Sequence, residues 1–391
     1  MKSDWSLFCA DCGRTKPLNW LGRCECGGPL ELVGPLGRVD PAGRRMVGRY
    51  GSFFPFASGD WTSLGEGGTP LVPLARLGRR LNLSALWAKN ETTNPTWSFK
   101  DRGTAVCLAH AKSLGFDRIG TVSTGNMAAS VAAYGAASGS ETFILVKRDM
   151  PEEKLAPVAV YGARVVRVDG PYDKLYDVSL ELGRRLGIYF MNSDVPFRVA
   201  GSRTIAYELA EEAPTLDWVV VPVSAGGNIR GIFEGYRQAV QMGLVQRAPR
   251  ILAVQAAGCC PVTAAFESGA QAIRRFENPS TVAHAIDNPL PPSGNRALSL
   301  LRSDGGAAVA ASEDEILSAQ RDLCAEGLFV QPGSATAFAG LKLALARGII
   351  SAGSQAAVVL TGSGLKYQSV LEKHGLSWES CGLDELEKIL R

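Results

Sequence analysis

Lys100 lies in the run Asn94-Pro95-Thr96-Trp97-Ser98-Phe99-Lys100-Asp101-Arg102-Gly103 and is the residue of this chain best placed for covalent chemistry. Before it, Leu86-Trp87-Ala88-Lys89 reads as a strand and Asn94-Pro95 as a turn; after it, the spacing of Ala105, Val106, Ala109 and Leu114 reads as a helix. Ser98 and Asp101 have the separation of a capping box, which predicts a helix beginning at Ser98 with Lys100 in its first turn. The positive end of a helix dipole disfavours an ammonium, and burial in a cleft disfavours it further. Both push the amine toward its neutral, nucleophilic form. Such an amine can form a Schiff base with a carbonyl; the plain alternative is a solvated surface lysine, the common state of that residue type.

The carbonyl most often kept on an enzyme lysine is that of pyridoxal phosphate, and its phosphate needs a seat of its own. Trp218 to Val223 reads as a buried parallel strand and Ile229 to Val240 as a helix. Between them Ser224, Ala225, Gly226, Gly227 and Asn228 let successive backbone N–H groups converge on an anion, although a Gly-Gly pair alone is as compatible with a tight turn. Thr121-Val122-Ser123-Thr124-Gly125-Asn126 likewise closes a strand and opens an alanine-rich helix. Ser123, Thr124 and Asn126 offer hydroxyls and amides to a substrate carboxylate, and Asn126 a hydrogen bond to the cofactor's ring hydroxyl; taken alone, Asn126 reads as a helix cap. In Val358-Val359-Leu360-Thr361-Gly362-Ser363-Gly364, Thr361 ends a strand where its hydroxyl can meet the pyridine nitrogen. A neutral partner there would not hold that nitrogen protonated, which limits the ring as an electron sink.

In this order and over this span the segments resemble the threonine synthase family, pyridoxal-phosphate enzymes of fold type II. Asn94-Pro95-Thr96 with Ser98-Phe99-Lys100-Asp101-Arg102-Gly103 is similar to that family's cofactor-lysine motif, and Ser123-Thr124-Gly125-Asn126, Gly227-Asn228-Ile229, Val254-Gln255-Ala256-Ala257-Gly258 and Thr361-Gly362 with Gly364-Leu365-Lys366 resemble its other blocks. The resemblance runs from about Leu64 to Lys366. It implies a lyase of amino-acid biosynthesis that converts O-phosphohomoserine and water to threonine and phosphate, with Lys100 as general base, and commonly a homodimer. Asn192-Ser193 followed by Arg198 resembles the segment holding the substrate phosphate: a guanidinium gives forked, charge-assisted bonds, and Asn and Ser add neutral donors. All three are expected to face the cleft after the strand Ile188 to Met191, the alternative being a cap and a solvated arginine.

Several positions depart from the family pattern. Trp97 stands where the family has glycine, Met127 where a small hydroxyl residue follows Gly-Asn, Ser363 in place of histidine, and Gln331 where an acidic residue commonly precedes proline. They leave open an enzyme of the same fold and cofactor with another outcome: β-replacement on O-phosphoserine, as in cysteate synthase, or elimination to a 2-oxo acid. A third reading, a zinc-ribbon binding protein with an inactive enzyme-like body, is opposed by the retained Lys100 and phosphate cup.

The elements that must position these residues alternate strand and helix from Leu64 onward. Strands are expected at Ile119 to Val122, Thr142 to Val146, Arg164 to Val168, Ile188 to Met191, Trp218 to Val223, Ile251 to Gln255 and Ala356 to Thr361, with a capped helix from Ser312 to Ala325. This is the α/β pattern of open, mostly parallel sheets covered by helices. With fold type II, it implies two open three-layer αβα domains with the site between them. Residues 64–118 and 200–391 are expected to form the large cofactor-binding domain, 119–199 a small mobile domain and 36–63 a linker.

Residues 1–35 hold Cys9, Cys12, Cys24 and Cys26, spaced C-x2-C and C-x-C, in the manner of a small zinc ribbon; disulfides are the competing reading. Cys107, Cys259, Cys260, Cys324 and Cys381 read as small buried residues. At 391 residues the chain can form two or three domains, and its net charge of +3 is too small to imply nucleic-acid binding. Its sequence carries no apolar run of transmembrane length and no signal-peptide core at Met1-Lys2-Ser3-Asp4-Trp5, which makes the cytoplasm the expected location.

Overall fold

The computed structural model describes residues 4–19, 22–123, 125–150, 152–170, 172–376, 379–380, 383 and 389–390. Three sheets organise them. Strands β1 (Ser6–Cys9), β2 (Thr15–Lys16) and β3 (Leu30–Val33) make a small antiparallel sheet at the N-terminus, ordered β2-β1-β3. The chain then lays down β4 (Leu71–Pro73) and β5 (Ala85–Asn90), followed by β6 (Arg118–Val122), β7 (Glu141–Lys147), β8 (Arg164–Val168) and β9 (Tyr189–Phe190). It ends with β10 (Trp218–Pro222), β11 (Arg250–Ala256), β12 (Ala307–Ala311) and β13 (Gln355–Leu360).

The four strands β6 to β9 form a parallel sheet in the order β8-β7-β6-β9. A six-stranded sheet, β12-β11-β10-β13-β5-β4, is parallel except for β4, which runs against β5. All five residues of β10 are buried, as parallel strands covered on both faces must be. Alternation sorts their side chains: Val220, Leu252, Val254 and Val358 enter one core, while Val219, Val221, Ile251, Ala253 and Val359 enter the other. Each fully buried Val or Leu contributes about 1.5–3 kcal/mol, so the two cores hold the large sheet's strand ends rigid. β12 (Ala-Ala-Val-Ala-Ala) carries no strand signal of its own; pairing along β11 makes it one.

Residues 36–63 differ from the expected linker. They contain the helix Arg45–Tyr50, and Met46, Tyr50, Phe53, Phe54 and Phe56 are buried in the same core as the N-terminal ribbon and the helix that begins at Lys100. Phe53 and Tyr50 pack on Tyr207 at ring-centroid distances of 4.9 and 5.4 Å. The Gly and Pro residues make turns, and the aromatic side chains between them supply the apolar area that docks the segment. Among the described residues no helix is long and apolar enough to cross a membrane.

Candidate functional site

The helix carrying Lys100 spans Lys100–Ser113, two residues later than the capping-box spacing predicts. Phe99, at the cap, is already helical in φ and ψ, and Ser98 Oγ is buried without a partner. Asp101 turns back instead, accepting from Thr96 N at 2.7 Å and Thr96 Oγ1 at 2.6 Å. Between them Trp97 has φ +61°, a left-handed conformation rare for a bulky residue, and is 51% exposed. Two backbone bonds, Phe99 N to Thr361 O and Ser363 N to Trp97 O, both 3.0 Å, stitch this loop to the end of β13. Lys366 Nζ donates to Thr96 O at 2.8 Å and completes the seam. Lys100 and Thr361 are thereby neighbours.

Lys100 Nζ lies 4.6 Å from the centre of the Phe99 ring. Burial, with the charge of Arg198 beside it, brings the amine down to about 7. Arg198 is 4% exposed, on the helix Pro196–Glu212. Its guanidinium donates to Met191 O at 3.1 and 3.0 Å, to Thr104 Oγ1 at 3.2 Å and to Lys100 O at 3.4 Å. These acceptors are neutral, so its positive charge reaches Lys100 largely uncompensated.

A buried ionic network fixes the same helix from below. Arg102 donates to Glu91 at 2.7 and 2.8 Å and to Glu208 at 2.6 and 2.8 Å, and Lys89 Nζ lies 2.8 Å from Glu208 and 2.9 Å from Glu212. Burial depresses Arg102 less than Glu208 and Glu91 raise it, so its pKa stands well above the ordinary value. The network ties β5, the Lys100 helix and the Pro196–Glu212 helix into one frame. Sequence reasoning missed it, because charges far apart in the chain carry no signal of pairing.

After β10, Gly226 has φ +86° and caps the helix Gly227–Gln241. A Cβ on Gly227 would stand 2.8 Å from Ser193 O, and one on Gly226 3.0 Å from Ser293, so side chains are excluded from this turn. Ser224 and Ala225 line its half-buried mouth, and Asn228 has both amide atoms buried without a partner. Open helix N–H groups, an unpaired amide and a cradle that only glycine fits together suit a phosphate.

Asn126 is the first residue of the helix Asn126–Ser138, whose cap is Gly125, so it is not itself the cap. A Cβ on Gly362 would stand 3.1 Å from Asn126 Nδ2 and also meet Gln331, which puts Asn126 beside the Thr361 segment. Thr361 Oγ1 is 3.0 Å from Ser334 Oγ, which accepts from Gly362 N at 2.8 Å and reaches Gly362 O at 3.0 Å. Ser334 is a site neighbour that sequence reasoning did not single out by role; its signal was the block Gln331-Pro332-Gly333-Ser334 opening a helix.

Asn192, Ser193 and Arg198, expected to face the cleft, are each held by partners within the fold. Asn192 is fully buried: Oδ1 accepts from Val122 N at 3.0 Å and Thr121 Oγ1 at 3.5 Å, and Nδ2 donates to Ser179 Oγ at 3.0 Å. Arg198 serves the carbonyls beneath Lys100. Asn192 satisfies the N–H of Val122 at the end of β6, and Arg198 the carbonyl of Met191 just past β9. Ser193 is half-buried against Met127, its hydroxyl 3.7 Å from the sulfur. Ser123 is half-buried at the end of β6, its hydroxyl accepting from Gly125 N at 3.3 Å; Thr124 lies outside the described residues.

In the ribbon, the Sγ atoms of Cys9, Cys12, Cys24 and Cys26 lie within 4.8 Å of one another, with Cys9 and Cys26 at 3.5 Å and Cys12 and Cys24 at 3.7 Å, and none is in a disulfide. Such separations suit four thiolates around a tetrahedral zinc ion. Of the remaining cysteines, Cys107 and Cys259 are buried as expected, Cys260 is half-buried, and Cys324 is exposed because its helix turns it outward; Cys381 lies outside the described residues.

The family model "Pyridoxal-phosphate dependent enzyme" matches residues 62–362. A threonine synthase of Methanocaldococcus jannaschii is 38% identical over 92% of this chain and 92% of its own length, and one of Methanosarcina acetivorans is 36% identical over 93% and 92%. A threonine synthase of Mycobacterium tuberculosis is 35% identical over 78% of this chain and 84% of its own. Among solved structures, threonine deaminase isoform 2 of Solanum lycopersicum superposes with a TM-score of 0.66, covering 82% of each chain at 22% identity. That likeness carries the fold alone, which is fold type II.

Proposed function

Because the chain belongs to the pyridoxal-phosphate dependent enzymes, and within them to the threonine synthase family, we propose that it is a lyase converting O-phosphohomoserine and water to threonine and phosphate. The observation that carries the reading is the buried amine of Lys100, brought to about 7 at the first residue of a helix and stitched to Thr361. The residues that would hold pyridoxal phosphate are Lys100, Asn126, Thr361 and the cup from Ser224 to Asn228. When bound, the cofactor supplies an electron sink for charge developing next to the substrate's amino group.

The rest is done by the chain. Near neutral pH a substantial fraction of Lys100 is free amine, so Nζ can take the substrate's α-proton as general base. The same nitrogen serves the later proton movement from the β-carbon that lets the γ-phosphate leave. Burial, with the charge of Arg198 beside it, keeps that nitrogen from holding its proton too tightly. Ser123 and Thr124 are assigned to the substrate carboxylate with Asn126, and Ser193 is the member of the Asn192, Ser193 and Arg198 set nearest the cup. Residues 119–199 would move as the small domain and, on closing over the substrate, exclude water until it is needed at the β-carbon. Our reading further assigns zinc to the four ribbon cysteines, the cytoplasm as location and a homodimer as assembly.

Holoprotein given O-phosphohomoserine should release threonine and phosphate in equal amounts, and Lys100→Ala should release neither. Cofactor-loaded wild type that liberates no phosphate from this substrate would sink the proposal.

A further inference from the structure

The N-terminal ribbon reaches the phosphate cup through one side chain. Arg23, the residue before Cys24, donates from Nε and Nη2 to Asp194 Oδ2 at 3.2 and 3.0 Å, and from Nη2 to Pro292 O at 3.3 Å. Its two partners belong to two separate loops. Asp194 follows Ser193, whose carbonyl backs Gly227, and Pro292 precedes Ser293, which backs Gly226 and donates from its N–H to Ala225 O at 2.9 Å. The two loops are therefore the walls against which the glycines of the cup are set, and Arg23 spans them from behind. Asp194 is nearly fully buried and its Oδ1 has no partner, so the arginine supplies the fork that fixes this carboxylate. A second ribbon contact points the same way: Arg230, in the first turn of the cup's helix, donates to Leu30 O in β3 at 3.2 Å and to Ser293 Oγ at 2.9 Å.

We propose that Arg23 is a positioning residue for the cofactor's phosphate: by holding Asp194 and Pro292 together it sets the spacing of the loops that shape Gly226 and Gly227. This rests on the reading of the cup as a phosphate seat. Hydrogen bonds to an anion weaken steeply with misalignment, so a wall that relaxes outward weakens binding without removing any ligating group. The ribbon, far from being an independent appendage, acts as a brace for cofactor capture.

The test titrates cofactor-free protein with pyridoxal phosphate, following the absorbance of bound cofactor and free cofactor after ultrafiltration, with no turnover involved. Arg23→Met should raise the dissociation constant about tenfold. Arg23→Lys should recover part of the loss, because an ammonium keeps the charge beside Asp194 but not the fork that also reaches Pro292. Arg296→Gln is the control: Arg296 Nε joins the same ribbon to the body through Glu31 at 2.8 Å and makes no hydrogen bond to Asp194 or Pro292. It should leave the constant within about twofold. If Arg23→Met does not fold, Asp194→Asn removes the same charge pair with its shape kept and should show the same rise. Wild type that binds while Arg23→Met binds equally well, or an Arg296→Gln loss matching that of Arg23→Met, overturns the brace alone. Wild type that takes up no cofactor overturns the phosphate seat and the brace with it.

Discussion

Replacing Lys100 by methionine should make the cofactor-free protein more stable while abolishing activity. A lysine is fully charged below its ordinary value of 10.5, but burial and Arg198 hold Lys100 at about 7. The unfolded chain therefore binds more protons than the native one between about pH 7 and 10.5, and stability rises with pH across that window. Below about pH 7 both states carry the proton and the native state bears the whole penalty; above 10.5 neither does and the penalty is gone. A depression of this size corresponds to at most about 5 kcal/mol. Lys100 keeps some contact with solvent, and screening and relaxation reduce the cost, so about 2 kcal/mol is the expected gain at pH 6. Methionine has similar volume and no charge, and it should pack against Phe99 without a cavity. Urea unfolding of cofactor-free wild type and Lys100→Met at about pH 6, 8 and 10 measures the effect. The gap should be largest at the lowest pH and close as pH rises. A variant no more stable than wild type at pH 6, or a gap independent of pH, would refute the claim that this amine is held against its charge.

Arg102→Met should cost about 3–5 kcal/mol in urea unfolding, because Glu91 and Glu208 are left buried and unpaired, and Arg102→Lys should not restore the loss since an ammonium cannot serve both forks. Gly227→Ala should weaken pyridoxal phosphate binding by about tenfold or more in an equilibrium titration while the fold persists, because the new Cβ meets Ser193 O at 2.8 Å and displaces the cup. Mild acid or a thiol-reactive mercurial should release about one zinc ion per chain to a chromogenic chelator, and Cys12→Ser with Cys26→Ser should release none.

The two capping boxes show how far local spacing can be trusted. Ser312 and Glu315 form theirs as the pattern dictates, since the extended backbone at Ser312 lets its hydroxyl accept from Glu315 N at 3.3 Å. Ser98 and Asp101 have the same spacing and do not, because Trp97 at φ +61° and the bonds to Thr361 and Ser363 turn the chain so that Thr96 receives the carboxylate. A long-range contact overrode a local preference at the loop that leads into Lys100. Asn192 and Arg198 show the same reach of long-range contacts: Asn192 accepts from Val122 N at the end of β6, and Arg198 donates to Met191 O just past β9.

What this sequence determined by itself was set by short-range physics. The apolar runs of β6 to β11 and β13, the glycines after β10, the lysine at a helix start and the paired cysteines each follow from periodicity, steric freedom or ligand spacing within a few residues. Tertiary structure decided what depends on which distant groups meet. It joined Lys100 to Thr361, depressed the amine by burying it and setting Arg198 beside it, and made β12 a strand through its neighbour. It also buried the Arg102 network and brought Arg23 of the ribbon behind Gly226 and Gly227. Burial, electrostatic pairing and wall-to-wall contact are properties of the folded arrangement, so no window along the chain contains them.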